Sequence, residues 1–186
     1  MRIENKTVKY GDLVVLDQFS HTFETGKITS IFGPSGCGKT SLLNLICEEA
    51  IKVSYVFQED KLMPWLSVED NIKLVCEDEE AIKRALDIVK MSDYKSHYPK
   101  ELSGGMKRRV ALVRAFVHES DLLLMDEPFK GLDNQLKYEI IEAFLDLHRQ
   151  VARTVLMVTH DEKVAKKVSH KILYVKGLPL EVTHEV

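Results

Sequence analysis

The stretch Gly33-Pro-Ser-Gly-Cys-Gly-Lys-Thr-Ser41 decides the fold of this 186-residue chain. It matches the phosphate-binding pattern G-x-x-x-x-G-K-[ST], and it lies between an apolar run, 28–32, and a second apolar run, 42–46, typical of a helix. Backbone N–H groups of such a turn and the N-terminus of the following helix face the same anion. We therefore predict that Lys39 contacts nucleotide phosphates and that the Thr40 hydroxyl ligates Mg²⁺. The alternative is a glycine-rich β–α turn that happens to hold a lysine.

The composition is typical of a soluble globular protein with one domain and a sizeable core. Apolar residues make up 45% of the chain, charged residues 30%, and the net charge is −3. The charges are mixed and form no basic patch, which argues against nucleic acid as a partner. No apolar run approaches the roughly 18 residues of a membrane span, so we expect any membrane role to come through a partner. The three cysteines form no C-x-x-C pair, as expected for reduced thiols in the cytosol.

Buried strands alternate with amphipathic helices along the chain, and several of these strands end in polar residues. Strands are predicted at 53–57, 121–126 and 154–159, followed by Gln58, Glu127 and His160. This alternation predicts a largely parallel sheet with helices on both faces and a ligand at the carboxyl ends of its strands. Further strands are predicted at 3–8, 13–16 and 171–175. The last of these is the final predicted element.

The polar residues at these strand ends have chemistry that suits phosphate hydrolysis. Asp126 is placed to hold Mg²⁺, and Glu127, one residue later, is placed to polarise a water as a general base. Gln58 can ligate Mg²⁺ and sense the γ-phosphate. The alternatives are a buried strand that ends in solvated acids and an ordinary surface glutamine.

Helix starts supply a second group of candidates. Helices are predicted from the capping sequence at Ser67 through Val75, over 79–91, over 107–118, over 135–150 and over 162–168. Ser103-Gly-Gly105 precedes the third of these helices. The unpaired N–H groups at this helix start are open to an anion, and the alternative is that the serine is an ordinary N-cap. Asp133 fits an N-cap. Tyr10, at a turn, either stacks on a base or plugs the core.

Together these motifs resemble the nucleotide-binding subunit of ATP-binding cassette (ABC) transporters over nearly the whole chain. Leu102–Met106 is similar to the LSGGQ signature, the most specific motif, and Leu122–Asp126 to the Walker B strand. Gly131-Leu-Asp133 matches the D-loop, and Tyr10 the aromatic position that stacks on adenine. The segment 62–71 and the signature ending in methionine look like the nitrate, sulfonate and taurine importer branch.

The resemblance implies an α/β P-loop NTPase fold. Its parts would be a largely parallel sheet flanked by helices, an ABC-type helical subdomain and a reduced antiparallel β region. One ABC ATPase domain would span 1–186, with 1–58 and 118–186 as the nucleotide-binding core and 59–117 as the helical signature subdomain.

The resemblance also implies a set of site residues for ATP and Mg²⁺. Catalytic roles are expected for Glu127, His160, Lys39 and Gln58, and metal contacts for Thr40, Gln58 and Asp126. Nucleotide contacts are expected from Tyr10, Gly33, Pro34, Ser35, Gly36, Cys37, Gly38, Lys39, Thr40, Ser41, Ser103, Gly104, Gly105 and Asp133.

The implied partners are a second copy of the chain and transmembrane permease subunits. The two copies would form an ATP-sandwich dimer, and a solute-binding protein would act indirectly. The loop 60–67, which contains Trp65, would contact the permease at the cytoplasmic face of the membrane, unless Trp65 is a core residue. Alternatives are a soluble, non-transport ABC ATPase and a non-catalytic regulatory module.

One departure from the family pattern concerns the chain just after the phosphate loop. Only nineteen positions separate Lys39 from Gln58, where the family usually has a longer antiparallel β region. We expect this region to be reduced here, and the nucleotide affinity to depend on it.

Overall fold

A computed structural model describes residues 1–49 and 52–186. In chain order the elements are β1 (Arg2–Tyr10), β2 (Leu13–Thr22), β3 (Ile28–Phe32), α1 (Lys39–Glu49), β4 (Val53–Val56), α2 (Val68–Lys73), α3 (Glu79–Ile88), α4 (Gly104–Val117), β5 (Leu122–Asp126), α5 (Asn134–Val151), β6 (Thr154–Thr159), α6 (Glu162–Val168), β7 (Lys171–Lys176) and β8 (Glu181–Glu185). Short 3₁₀ turns lie at Ser92–Tyr94 and Pro99–Glu101.

The chain folds into two compact units. The first comprises Met1–Val53, Asp121–Glu127 and Ala152–Val186, and the second comprises Ser54–Ser120 and Pro128–Val151. The sequence predicted one ABC ATPase domain with a helical subdomain at 59–117, and that boundary stays a prediction.

The first unit is built on a sheet whose central strands are apolar along their whole length. Its strands lie in the order β5-β6-β3-β7-β8, and β3 pairs in parallel with β6 and β7. Every residue of β5 and β6 is buried, because side chains pack on both faces. β1 and β2 form a separate antiparallel pair, and α1 packs against both sheets. The carboxyl ends of β3, β5 and β6 therefore lie along one edge of the sheet.

The first unit also contains one strand that the sequence analysis missed. The prediction of 171–175 as the last strand was wrong, because β8 follows β7 and pairs antiparallel with it. The N–H of Leu180, in the connection, donates to the carbonyl of Val15 at 2.8 Å. At the chain end, Val186 and Ile172 exchange two main-chain hydrogen bonds. This hairpin adds β8 to the sheet as an edge strand beside β7, and its connection is bonded to β2.

The second unit is mostly helical, and polar side chains cap its helices as the sequence predicts. The Ser67 hydroxyl accepts the Asp70 N–H at 3.1 Å, and the Asp78 carboxylate accepts the N–H groups that follow it. α3 ends at Ile88 rather than at the predicted Met91. Lys90 has a φ of 54° there, and the Met91 N–H closes the helix on the Leu86 carbonyl at 2.9 Å. α4 begins at Gly104, three residues before the predicted start.

Across the part of the chain that the structure describes, we find no helix with the length and hydrophobicity of a transmembrane segment.

Candidate nucleotide site

The phosphate loop joins the end of β3 to the start of α1. The Lys39 ammonium donates hydrogen bonds to the carbonyls of Gly33 at 2.8 Å and Pro34 at 2.6 Å. Its side chain is 7% exposed, and its Nζ also lies 3.8 Å from the sulfur of Cys37. The loop therefore holds a buried cation by its own carbonyls, which places positive charge where the motif needs it.

Two glycines of the loop are required by close packing. A Cβ on Gly33 would lie 2.3 Å from the carbonyl oxygen of Val175. Gly38 has a φ of 95°, and a Cβ there would lie 2.7 Å from Val15 Cγ1. Residues of β7 and β2 thus pack closely against the inner side of the loop. Pro34, Ser35 and Gly36 are exposed at its tip. Ser41 is half-buried in the first turn of α1.

A hydroxyl and a carboxylate meet beside this loop. The Thr40 hydroxyl donates to Asp126 Oδ2 at 2.7 Å, and Asp126, the last residue of β5, is 2% exposed. Both groups are oxygen donors of the kind that Mg²⁺ prefers. The pair therefore fits the predicted metal contacts of Thr40 and Asp126.

An acid–histidine pair lies at the same edge of the sheet. Glu127 Oε1 is 2.7 Å from His160 Nδ1, the side chains being 14% and 61% exposed. Glu127 has a φ of 49°, and its N–H donates to the Val158 carbonyl at 3.0 Å. This backbone turns the carboxylate away from the strand and towards the imidazole after β6. A carboxylate held in this way can accept a proton from a water molecule.

The remaining predicted polar residues belong to the second unit. Gln58 is exposed just after β4, and its main-chain carbonyl accepts from Arg108 at 2.7 Å. The Ser103 hydroxyl accepts the Met106 N–H at 3.3 Å and so caps α4. Asp133 caps α5, since its carboxylate accepts the Leu136 N–H at 3.0 Å. The cap interpretations of Ser103 and Asp133 hold, and a capping role is compatible with ligand contact.

The glycines of the signature segment differ from those of the phosphate loop. A Cβ on Gly104 would meet nothing within 4 Å, and one on Gly105 would lie 3.4 Å from the Gly131 carbonyl. Within residues 1–49 and 52–186, the N–H groups of Gly104 and Gly105 have no hydrogen-bond partner. The first turn of α4 therefore presents open donors.

Two aromatic residues are exposed where the sequence left a core alternative open. Tyr10 is 58% exposed at the turn between β1 and β2, and Trp65 is 71% exposed. The core interpretation of both residues is wrong, which leaves the base-stacking and partner-contact interpretations as proposals.

Sequence reasoning missed residues that support the site from behind. Val175 and Leu180 pack on the glycines of the phosphate loop, and Arg108 holds the Gln58 turn. The turn sequence Gly177-Leu-Pro179 and the alternation after it were the available signal for β8. A buried arginine gives no such signal, because helix periodicity alone does not separate it from a surface residue.

Comparison with protein families matches the chain to one family model. The model described as ABC transporter matches residues 16–52 and 48–130. The two matched parts overlap at 48–52, within the segment that the sequence predicts to be shortened. Residues 50–51 of that segment lie outside the described residues.

Curated relatives match nearly the full length of this chain. The aliphatic sulfonates import ATP-binding protein SsuB 2 of Pseudomonas syringae pv. tomato is 35% identical, and the match covers 100% of this chain and 85% of the relative. The SsuB protein of Bacillus thuringiensis subsp. konkukian is 33% identical over 98% of this chain and 83% of its own. The Fe(3+) ions import ATP-binding protein FbpC of Fusobacterium nucleatum subsp. nucleatum is 34% identical over 95% and 55%.

Solved structures have the same fold. A dimeric post-hydrolysis state of an ATP-binding cassette with ADP and Pi superposes with a TM-score of 0.85 at 29% identity, covering 100% of this chain and 97% of that one. A dimeric bacterial ABC transporter cassette gives 0.84 at 30% identity with the same coverage. The predicted α/β P-loop fold is confirmed.

Proposed function

The chain belongs to the ABC transporter family and is an ATPase, and on that premise we propose that it powers an importer of small sulfonate-, taurine- or nitrate-like solutes. The sulfonate importers among its relatives favour this solute class, and so does the resemblance of 62–71. The ATP-binding protein of an iron importer is similar to the same degree, at 34% identity, so the choice of solute also depends on the permease partner. The observation that carries the catalytic proposal is the 2.7 Å contact between Glu127 and His160.

In this proposal, ATP is bound mainly by the phosphate loop. Lys39 neutralises the β- and γ-phosphates, backbone N–H groups of the loop donate to them, and Tyr10 stacks on the adenine. Thr40 and Asp126, with Gln58, would hold Mg²⁺, which supplies charge neutralisation on the phosphates. The fit rests on the oxygen donors of Thr40 and Asp126, which already lie 2.7 Å apart.

Glu127 acts as the general base of hydrolysis. Its carboxylate accepts a proton from water as the water oxygen bonds to the γ-phosphorus. The bond between that phosphorus and the β,γ-bridging oxygen breaks, and ADP leaves with its electron pair. With Nδ1 protonated, His160 donates to Glu127 and fixes the orientation of the carboxylate, and its ring also stabilises charge on the γ-phosphate.

A second copy of the chain completes each site. The open N–H groups at Gly104 and Gly105 would bind the γ-phosphate held by the phosphate loop of the other copy, with Ser103 and Asp133 at the same interface. The dimeric state of both solved cassettes supports this arrangement. ATP then joins the two copies and hydrolysis separates them.

The permease provides the attachment to the membrane. Trp65 and Leu74, 71% and 56% exposed, offer apolar surface to a transmembrane partner, and a solute-binding protein would act from the other side. The chain would thus be peripheral on the cytoplasmic face of the membrane.

The substitution Glu127→Gln tests this proposal. It keeps the shape of the side chain but removes the base, so ATP hydrolysis should fall about 10²- to 10³-fold while ATP still binds. Size-exclusion chromatography with light scattering should show a dimer with ATP and Mg²⁺ and a monomer without them. A variant that stays monomeric at every ATP concentration would contradict the sandwich. Unchanged hydrolysis would exclude Glu127 as the base.

A further inference from the structure

We propose that Arg108 is a positioning residue that fixes the main chain of the Gln58 turn to α4, and that it acts on Mg²⁺-dependent hydrolysis through Gln58. This inference rests on the proposed role of Gln58 as a metal contact. All groups that carry it belong to the second unit.

Arg108 holds two successive carbonyls with one guanidinium group. Nη1 donates to the Phe57 carbonyl at 2.6 Å and Nη2 to the Gln58 carbonyl at 2.7 Å. The side chain is only 6% exposed, so both hydrogen bonds are shielded from water. A planar fork suits this geometry, whereas a lysine ammonium on a flexible stem is a single point of charge. The contacts use only the main chain of Gln58 and leave its exposed amide available for a ligand.

A second arginine extends the hold on the same turn. Arg114, six residues further along α4, donates to the carbonyls of Lys61 at 3.1 Å and Asp60 at 3.4 Å. Two side chains of one helix thus bind four of the five carbonyls of 57–61. Lys61 has a φ of 44°, and its ammonium lies 4.1 Å from the centre of the Phe57 ring. The turn is therefore held in one conformation.

A partly buried carboxylate lies beside Arg108. Asp60 Oδ1 lies 3.3 Å from Arg108 Nη1, although the oxygen has no hydrogen bond of good geometry among the described residues. Burial raises the pKa of Asp60, while Arg108, Lys107 and Arg114 act in the opposite direction. The attraction to Asp60 favours the orientation in which the fork meets the two carbonyls.

The position of Arg108 on α4 gives the contact a functional consequence. α4 starts at the open donors Gly104 and Gly105, one turn before Arg108. A displacement of that helix start moves the main chain of Gln58 with it, because the fork joins them. A γ-phosphate that contacts the start of α4 thereby changes the position of Gln58, the proposed metal contact.

The test uses Arg108→Lys, Gln58→Ala and the double variant in the full-length chain with ATP and Mg²⁺. Arg108→Lys should lower kcat about tenfold and raise the Mg²⁺ concentration for half-maximal hydrolysis several-fold, with ATP affinity without Mg²⁺ unchanged. Gln58→Ala should do the same, and the double variant should match Gln58→Ala, because Arg108 acts through Gln58. Arg109→Lys is the matched control, since Arg109 donates to the carbonyls of Val89, Lys90 and Gly105 and to none of those of 57–61. It should leave the Mg²⁺ dependence unchanged.

Hydrogen exchange separates this inference from the proposed function. Amides 57–61 should exchange faster in Arg108→Lys but not in Arg109→Lys, whether or not Gln58 contacts the metal. Unchanged exchange overturns the inference, as does a double variant whose losses multiply. Faster exchange together with a normal Mg²⁺ dependence in Gln58→Ala would overturn the metal role of Gln58 and, with it, the action of Arg108 on hydrolysis.

Discussion

The phosphate loop and the start of α4 both present groups suited to an anion, but they differ in how those groups are paired. Around the loop, polar side chains pair within the chain: Lys39 with two carbonyls and Thr40 with Asp126. At the start of α4, the N–H groups of Gly104 and Gly105 have no partner among the described residues. The first region is organised by its own chain, and the second presents donors to something outside it.

The glycines of the two regions show the same contrast. Gly33 and Gly38 are enclosed by Val175, Val15 and Leu180, whereas a Cβ at Gly104 would meet open space. One region uses glycine for close packing and the other to leave room. The loop is therefore sensitive to internal packing, and the helix start to what binds it.

The largest expected effect comes from mixing one variant of each region. Lys39→Ala and Gly104→Asp should each reduce ATP hydrolysis at least about 100-fold, since one loses the phosphate cation and the other places a carboxylate at the anion site. In a dimer of one chain of each variant, one of the two sites is intact. Random pairing should restore roughly a quarter of the wild-type sites, measured as phosphate release from the mixture.

Each variant alone, at the same total concentration, is the control. An aspartate at a helix N-terminus favours the helix, so Gly104→Asp should remain folded. If the mixture is as inactive as each variant alone, the start of α4 does not act across a dimer. The proposal that this helix start binds a phosphate held by the other copy would then be wrong.

The next effect concerns the hydroxyl of Thr40. Thr40→Val removes an oxygen donor at nearly constant volume and leaves Asp126 without its 2.7 Å partner, so hydrolysis should fall about 10- to 100-fold with a weaker Mg²⁺ response. Thr40→Ser keeps the hydroxyl and should stay within about threefold of wild type. Equal losses in both variants, measured across a Mg²⁺ titration, would point to packing rather than to the hydroxyl.

A smaller effect, on stability, compares glycines directly. Gly38→Ala adds a Cβ 2.7 Å from Val15 at a φ of 95°, and should lower the free energy of unfolding by about 1–3 kcal/mol. Gly104→Ala meets nothing within 4 Å and should change it by less than about 1 kcal/mol, in the stabilising direction. Urea unfolding of both variants makes the measurement. If the two changes are equal, the loop is not packed as described.

The smallest effect is a pH dependence confined to the first unit. Burial lowers the pKa of His21, with Glu185 opposing and Lys171 adding to that direction. The unfolded chain then binds more protons than the folded one just below pH 6.5, so stability is complete above about pH 6.5 and falls as the pH drops further. Burial also lowers the pKa of His170, so this residue adds to the same loss of stability at low pH.

Hydrogen exchange at pH 7 and at about pH 5.5 measures this dependence. Amides of β1, β2 and β8 should lose protection at the lower pH, and His21→Phe, which suits the contacts with Phe19 and Phe23, should reduce that loss. An equal loss of protection in α4, which belongs to the second unit, would show that the pH dependence is not confined to the first unit.

Much of this architecture is predictable because strong local signals mark it. The strand at Thr154–Thr159 and the helix at Glu162–Val168 have the predicted bounds, since an apolar run and an Asp161 cap define them. The caps at Ser67 and Ser103 are predictable because each serine hydroxyl bonds to an N–H only three residues later. The placement of Glu127 and His160 at one edge of the sheet followed from its topology, because both residues come after neighbouring parallel strands, and the structure adds their direct contact.

What escaped prediction depends on contacts between residues distant in sequence. The left-handed Lys90 that ends α3 is not a glycine, so no residue type marks the stop. β8 is mostly exposed and lacks the apolar run of a central strand. The Arg108 fork joins residues fifty positions apart, and no local pattern specifies its acceptors.

The β7–β8 hairpin has a consequence for how the molecule is made. Gly33 and Gly38 pack against Val175 and Leu180, which a ribosome adds some 140 residues later. The phosphate loop is thus made early, but the residues that support it from behind are made only with the β7–β8 hairpin. A nascent chain that lacks the hairpin holds the motif without the packing that shapes it, so tight nucleotide binding should require that the hairpin has been synthesised.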